Sequence, residues 1–294
     1  MSIIKTALNY KKAYSNWLEI IYKLYKFRNI KDTYNIKITA KLRDTKAILN
    51  LQSSLIYGYA NAISKLPLRI HNLSIDKNLL CFSFNDYDLK FENSNTGDIA
   101  STFFEEEYSF LNVEGKNVVD IGANIGDTAI YFSIKGAKKV ISLEPYPYTF
   151  DTAKLNVILS SFKEKIFLVN AGYGKDGRIK IDTNFTPTIG SDIKESLDGA
   201  GVEIYSLDTI MTKYNIDSGI LKIDCEGCEY NLLDEKNETL SRFQMIQIEY
   251  HYGYEKLVDK LKMCGFKTTY TKPTKSYNNS AGKTMMIGHI YAER

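Results

Sequence analysis

The stretch Val118-Val119-Asp120-Ile121-Gly122-Ala123-Asn124-Ile125-Gly126-Asp127-Thr128 constrains this chain more than any other. An apolar run of strand length passes directly into small residues and then into a helical pattern, so a buried strand, a sharp turn and a helix follow one another. Glycines there let the backbone approach a ligand closely, and the next helix opens with its free amides aimed at the same place. Eighteen residues past Gly126, Glu144 closes the next apolar run ahead of Pro145. An acid at that position can accept both hydroxyls of a ribose.

Spacing separates the nucleotide classes that use such a loop. A dinucleotide fingerprint reads G-x-G-x-x-G, whereas here Asp120 precedes Gly122-x-Asn124-x-Gly126. An acid before the loop would repel a pyrophosphate but suits a ligand carrying an ammonium and a sulfonium, which points to S-adenosylmethionine as the cofactor. Around this segment, strand candidates at 117–121, 139–143, 166–169, 219–223 and 245–250 alternate with helical patterns at 127–135, 148–160 and 254–264. That alternation predicts an α/β fold with a doubly wound, mostly parallel sheet and a site at the carboxyl ends of its strands. Residues 266–270 and 285–291 read as two further strands that add an antiparallel edge at the C-terminus.

From about Asp98 to Glu249 the chain resembles the FkbM-type methyltransferases, a branch of the class I S-adenosylmethionine-dependent enzymes with a Rossmann-like sheet. Five segments carry the resemblance in order: Glu107-Tyr108, Asp120-Ile-Gly-Ala-Asn-Ile-Gly126, Leu143-Glu144-Pro145, Ser206-Leu207-Asp208, and Leu221-Lys222-Ile223-Asp224-Cys225-Glu226-Gly227-Cys228-Glu229. The resemblance implies O-methylation of hydroxyls on sugars, lipid-linked glycans or other small natural products. With the loop reading it implies a cofactor site built from Tyr108, Asp120, Gly122, Ala123, Asn124, Gly126, Glu144, Pro145, Asn170 and Ala171. Asn170 stands where related enzymes meet the adenine ring and could read its amino edge, with a turn-stabilising role as the close second reading.

At the strand ends, Asp224, Glu226, Glu249 and His251 are expected to share one small volume, because Glu249 and His251 alternate onto the same face. A hydroxyl oxygen loses its proton as it bonds carbon, so a base near neutral pKa is wanted. His251 is the candidate, with Glu249 or Asp224 fixing its tautomer, and a hydrogen-bonded wall role is its bland alternative. A second reading has Asp224, Glu226 and Glu249 hold a magnesium-like divalent metal. Cys225-x-x-Cys228 suggests zinc or redox chemistry, but the remaining cysteines, Cys81 and Cys264, stand alone, so reduced, partly buried thiols are expected. The polar, glycine-broken stretch from Tyr173 to Gly201 reads as a lid facing the acceptor.

Residues 1 to 46 hold eleven cations against three acids, a local charge of +8 in a chain whose total is +3. Aromatics interleave with them, and Trp17, Ile21 and Leu24 fall on one helical stripe. The first 70 residues therefore read as a basic helical segment, continuing helically from Ala40 to Ser64 and stopping at Leu66-Pro67, with the catalytic domain at 71–294. Such a segment can pack on its neighbour, lie on an anionic membrane surface or, less favoured, follow a nucleic acid. A hairpin is expected across Asn85-Asp86. With 44% hydrophobic residues and no signal-like leader or membrane-length apolar run, the expectation is a folded, cytoplasmic protein, peripheral to a membrane if residues 1 to 46 bind one. An RNA methyltransferase and a non-catalytic binding module of the same fold are the competing functions.

Overall fold

The computed structural model describes residues 3–27, 36–43, 48–65, 70–77, 79–92, 97–181, 200–278 and 283–294. The chain divides into two compact units, Met1–Glu107 and Tyr108–Arg294.

The first unit begins with helices α1 (Ile3–Ala13) and α2 (Trp17–Phe27). The helical continuation expected from Ala40 to Ser64 is replaced over its first half by strands β1 (Lys37–Lys41) and β2 (Ile48–Gln52), and only α3 (Ser53–Lys65) is helical. The physical reason lies in the two-residue period of Lys37-Ile38-Thr39-Ala40-Lys41. It buries Ile38 and Ala40, which pair with Leu51 and Leu49 across the antiparallel ladder. The stop expected at Leu66-Pro67 lies outside the described residues.

Strands β3 (Ile70–Asp76), β4 (Leu79–Phe84) and β5 (Tyr87–Glu92) form an antiparallel sheet. The β4–β5 turn is the expected hairpin, with Asn85 at φ 52°. A short helix α4 (Gly97–Ile99) runs into a π-helical turn over Ala100–Phe104. The boundary expected near residue 70 is thus displaced to 107, because this sheet shares one core with the π turn. Phe82 and Phe84 meet Phe103 edge-on at 5.4 and 5.3 Å, and Phe82 stacks on Phe91 at 5.9 Å.

In the second unit β6 (Asn117–Ile121) leads through the glycine loop to α5 (Asp127–Ile134), followed by β7 (Lys139–Leu143), α6 (Pro147–Leu159) and β8 (Ile166–Val169). Short strands β9 (Ala171–Tyr173), β10 (Gly177–Ile181) and β11 (Ala200–Tyr205) make a small side sheet. The flanks of the expected lid are therefore strands, while 182–199 lie outside the described residues. The chain continues through α7 (Leu207–Lys213), β12 (Gly219–Ile223), a 3-10 turn at Cys228–Asp234, α8 (Asn237–Leu240), β13 (Phe243–Tyr250) and α9 (Glu255–Met263). It ends with β14 (Lys267–Tyr270), β15 (Thr274–Asn278) and β16 (Lys283–Glu293).

The main sheet has the order β14-β16-β13-β12-β6-β7-β8, with β15 also on β16. Strands β13, β12, β6, β7 and β8 are parallel, and β16, β14 and β15 add the antiparallel edge. One face carries Val119, Ile121, Leu221, Ile223, Ile246 and Ile248 into a core with Leu207, Ile210 and Met211 of α7 and Leu257 and Leu261 of α9. Alternation sends Asp120, Ser142, Lys222 and Gln247 to the opposite face, where α5 lies. The fold is thus α/β and doubly wound, with the carboxyl ends of β6, β7, β12 and β13 at one rim.

Candidate active site

Across the sheet, Ser142, Asp120, Lys222 and Gln247 stand opposite one another in register, all at most 1% exposed. Asp120 Oδ2 accepts hydrogen bonds from Thr128 Oγ1 at 2.8 Å and Ser142 Oγ at 2.9 Å, and Lys222 Nζ lies 3.2 Å from Asp120 Oδ1. Lys222 also donates to the carbonyl oxygens of Gly122 at 2.7 Å and Ile121 at 3.3 Å. Burial alone would lower the lysine's pKa, but the carboxylates around it, Asp120 first, leave it raised and the ammonium charged. This corrects the expectation for Asp120. Its charge answers Lys222 inside the sheet rather than a ligand's ammonium, and the pair pins the glycine loop from beneath. Lys222 was not singled out as functional from sequence, although a lysine inside the otherwise apolar strand Gly219-Ile220-Leu221-Lys222-Ile223 is a signal that wants a buried acid.

The loop glycines also serve the protein's own packing. Gly122 sits at φ +80°, and a β-carbon on it would stand 1.7 Å from the carbonyl oxygen of Asp224. Gly126, at φ +81°, faces Ala153 of α6, whose atoms lie 3.3 Å from the position of a β-carbon. The close approach attributed to a ligand is therefore made by β12's end at Gly122 and by α6 at Gly126. The amides of Gly122 and Ala123 both donate to the carbonyl of Leu143, locking the β6 and β7 ends together.

Glu144 is buried at the end of β7. Its Oε2 accepts the amide of Asn124 at 3.0 Å and its Oε1 the amide of Tyr146 at 3.0 Å. Burial pushes its pKa up to about 7, against the opposing pull of those two amides. Each oxygen keeps one further lone pair, so the carboxyl suits a ribose diol at the loop. Asn170 donates its amide nitrogen to the carbonyls of Glu144 and Pro145, at 2.9 and 3.0 Å. It thus ties the β8 end to the β7 turn, the turn-stabilising role. Ala171 is fully buried in β9.

At the neighbouring strand ends, Tyr108 Oη donates to Asp224 Oδ2 at 3.1 Å, and the Glu249 side chain is hydrogen-bonded to the same carboxylate. Burial would raise Asp224's pKa, but Lys222, His251 and these hydrogen bonds together lower it. His251 is 2% exposed and lies between two carboxylates: Nε2 is 2.8 Å from Glu226 Oε2 and Nδ1 is 3.0 Å from Glu229 Oε1. Glu229 Oε1 also accepts the backbone amide of His251 at 3.0 Å. Burial would lower the imidazole's pKa, but the hydrogen bonds to Glu226 and Glu229 push it up to about 12. The groups that fix the ring are thus Glu226 and Glu229, where Glu249 or Asp224 was expected. Its partner Glu229 is itself fully buried and is a functional neighbour that the motif's spacing does not single out.

The structure brings Asp224, Glu249 and His251 within 4.8 Å of one another, with Glu226 joined through His251. Of the expected metal trio, Asp224 and Glu249 are gathered, with His251 as the third group that could face an ion, while Glu226 is turned onto His251. Cys225 and Cys228 are joined in a disulfide, correcting the expectation of reduced thiols. Glu226 at φ 58° and Gly227 at φ 127° fold the loop between them so that the two Cα atoms stand 5.5 Å apart.

A doubly wound parallel sheet with a glycine turn after its central strand and a buried acid ending the next defines a class I methyltransferase-type domain. Residues 120–268 match the family described as Methyltransferase FkbM domain, and the chain belongs to that family. Membership implies S-adenosylmethionine as the cofactor. Over 159 residues the chain is 30% identical to Uncharacterized protein 158B of Sulfolobus islandicus rod-shaped virus 1, covering 54% of this chain and 75% of that protein. A second relative, a protein N-terminal and lysine N-methyltransferase of Aspergillus fumigatus, is 37% identical over 68 residues, covering 23% of this chain and 26% of that protein. Among solved structures, methyltransferase FkbM from Methylobacillus flagellatus KT aligns with a TM-score of 0.45 at 12% identity, covering 93% of this chain and 59% of that one.

Proposed function

We propose that this chain transfers a methyl group from S-adenosylmethionine to a hydroxyl of a sugar, glycolipid or other small natural product. The observation that carries this reading is the Asp224–Glu249 carboxyl pair, set beside the glycine loop by the packing of Asp224's carbonyl on Gly122. The cofactor supplies an electrophilic methyl when bound. Glu144 accepts the ribose hydroxyls, and Asn124, whose amide holds Glu144, sets the height of the loop beneath them. The Asp224 carboxylate, hydrogen-bonded to Glu249, receives the hydroxyl proton as the new carbon–oxygen bond forms and the methyl's bond to sulfur breaks, leaving a neutral thioether. By then the oxygen is oxonium-like and far more acidic than a carboxylic acid, so a carboxylate with a lowered pKa is base enough. Tyr108 and Lys222 keep Asp224 ionised and aimed.

Support for a polyhydroxylated acceptor comes from the adjoining face of the sheet. His289 stands opposite Glu249 in register, Tyr291 opposite Gln247, and Phe110 packs edge-on to Tyr291 at 5.1 Å. Half-buried rings beside carboxylates suit a sugar, which offers C–H faces to the rings and hydroxyls to the acids. The test is transfer of labelled methyl by the full chain to glycolipid, free-sugar and RNA acceptors. Labelled sugar or lipid supports the reading, and labelled RNA alone overturns it. Asp224→Asn should lower turnover about 10²- to 10⁴-fold while leaving cofactor binding within a factor of about three.

A further inference from the structure

Helix α2 is too apolar for the place it occupies. Eight of its eleven residues are aliphatic or aromatic (Trp17, Leu18, Ile20, Ile21, Tyr22, Leu24, Tyr25 and Phe27), yet Ile20 alone is fully buried. One side packs inward, where Leu24 and Phe27 line a small hollow with Ile36 and Ile38. The other side presents Leu18, Tyr22 and Tyr25 at spacings of four and three, a single helical stripe, at 65%, 62% and 61% exposure. On α1, Leu8 is likewise exposed, and Lys5, Lys11 and Lys12 stand out in solvent around it. From Ile3 to Phe27 the chain has five lysines and a single acid, Glu19, which is paired with Lys23 at 2.7 Å.

We propose that the exposed stripe of α2, with the exposed Leu8 and lysines of α1, docks on an anionic lipid bilayer surface. The stripe supplies apolar side chains for the acyl boundary, the tyrosine hydroxyls suit the headgroup level, and the lysines meet the negative surface charge. Charge complementarity selects an anionic partner. Exposed Leu8 and Leu18 select lipid over nucleic acid, because aliphatic side chains neither stack on bases nor bind phosphate. Among the described residues no helix is long and apolar enough to cross a membrane; the proposed attachment is that of an amphipathic helix lying on the surface. The inference stands apart from the methyl-transfer reading, since it concerns the first compact unit by itself.

The experiment is flotation of the full chain with phosphatidylcholine vesicles, with and without phosphatidylglycerol, at low and raised salt. Wild type should float only with the anionic vesicles, and less at raised salt. Lys11→Glu with Lys12→Glu, and separately Leu18→Glu with Tyr22→Glu, should each weaken binding about tenfold or more, since one cation near the surface is worth about fivefold. All four positions are exposed, so thermal melting of both variants should match wild type and exclude misfolding as the cause. Failure to float overturns the proposal. So does floating that the Leu18/Tyr22 pair leaves untouched, binding to RNA without binding to vesicles, or a dimer that Tyr22→Glu dissociates in place of membrane binding.

Discussion

The carbonyl oxygen of Asp224 occupies the place where a β-carbon on Gly122 would stand, 1.7 Å away. One backbone contact thus joins the cofactor loop after β6 to the acid after β12. Gly122→Ala should therefore do more than strain a left-handed residue, which costs about 1 to 2 kcal/mol. It must also push the strand ends apart, for a combined loss of about 3 kcal/mol or more. Urea unfolding reads this directly. An alanine variant as stable as wild type would show that the two ends are not held together.

Lys222 and Asp120 form an ion pair with neither side chain more than 1% exposed. Removing one partner strands a buried charge, so Lys222→Met should cost about 3 to 5 kcal/mol. Adding Asp120→Leu should recover part of that loss by removing the stranded charge, the remainder reflecting the buried Thr128 and Ser142 hydroxyls that lose their acceptor. A double-mutant cycle by chemical denaturation measures the coupling, and simple additivity would contradict the pairing.

Glu144 predicts how cofactor binding depends on pH. Its folded pKa is raised to about 7, so the ligand-free protein favours the protonated carboxyl. Its contribution to ligand-free stability is therefore full below its ordinary value of 4.5 and lost as pH rises through about 7. A ribose diol donates to the ionised form, so S-adenosylmethionine should bind more weakly below pH 7 and release a proton on binding. Calorimetry in buffers of different ionisation enthalpy detects that proton. Glu144→Ala should lose about 1.5 to 3 kcal/mol of affinity, and unchanged affinity would move the ribose site elsewhere.

His251 has its pKa raised from 6.5 to about 12 by Glu226 and Glu229. The sign is that of a cation gaining partners: its stabilisation is complete below 6.5 and declines as pH rises toward 12. His251→Asn removes the charge between two carboxylates and should cost about 3 to 5 kcal/mol, with the loss shrinking as pH rises above neutrality. Urea midpoints of both proteins at several pH values test this. A variant that folds as stably as wild type yet has lost turnover would point to His251 as the base.

The strand, glycine turn and helix around residues 117–134 were readable because each rests on neighbours in sequence: an apolar run, small residues, a period of 3.6. The antiparallel edge was readable for the same reason. Strands β1 and β2 were missed where a short period-two pattern sat within an apparently helical stretch, and the first boundary was missed because Phe103 and Phe104 pack back onto Phe82. The four strand-end residues could be grouped from motif order, but their pairings could not.

The sequence by itself determined the class of fold, the position of the glycine loop and Glu144, and the carboxylates at the strand ends, all through local periodicity and spacing. Tertiary structure alone decided which charge answers which: Asp120 meets Lys222, and His251 takes Glu226 and Glu229. Those partners are brought together by the register of β6 beside β12 and by the 3-10 turn folding back on the end of β13. Such pairings turn on ångström-scale geometry between distant segments, and inside a protein, where water does not screen, that geometry sets the charge state and so the chemistry.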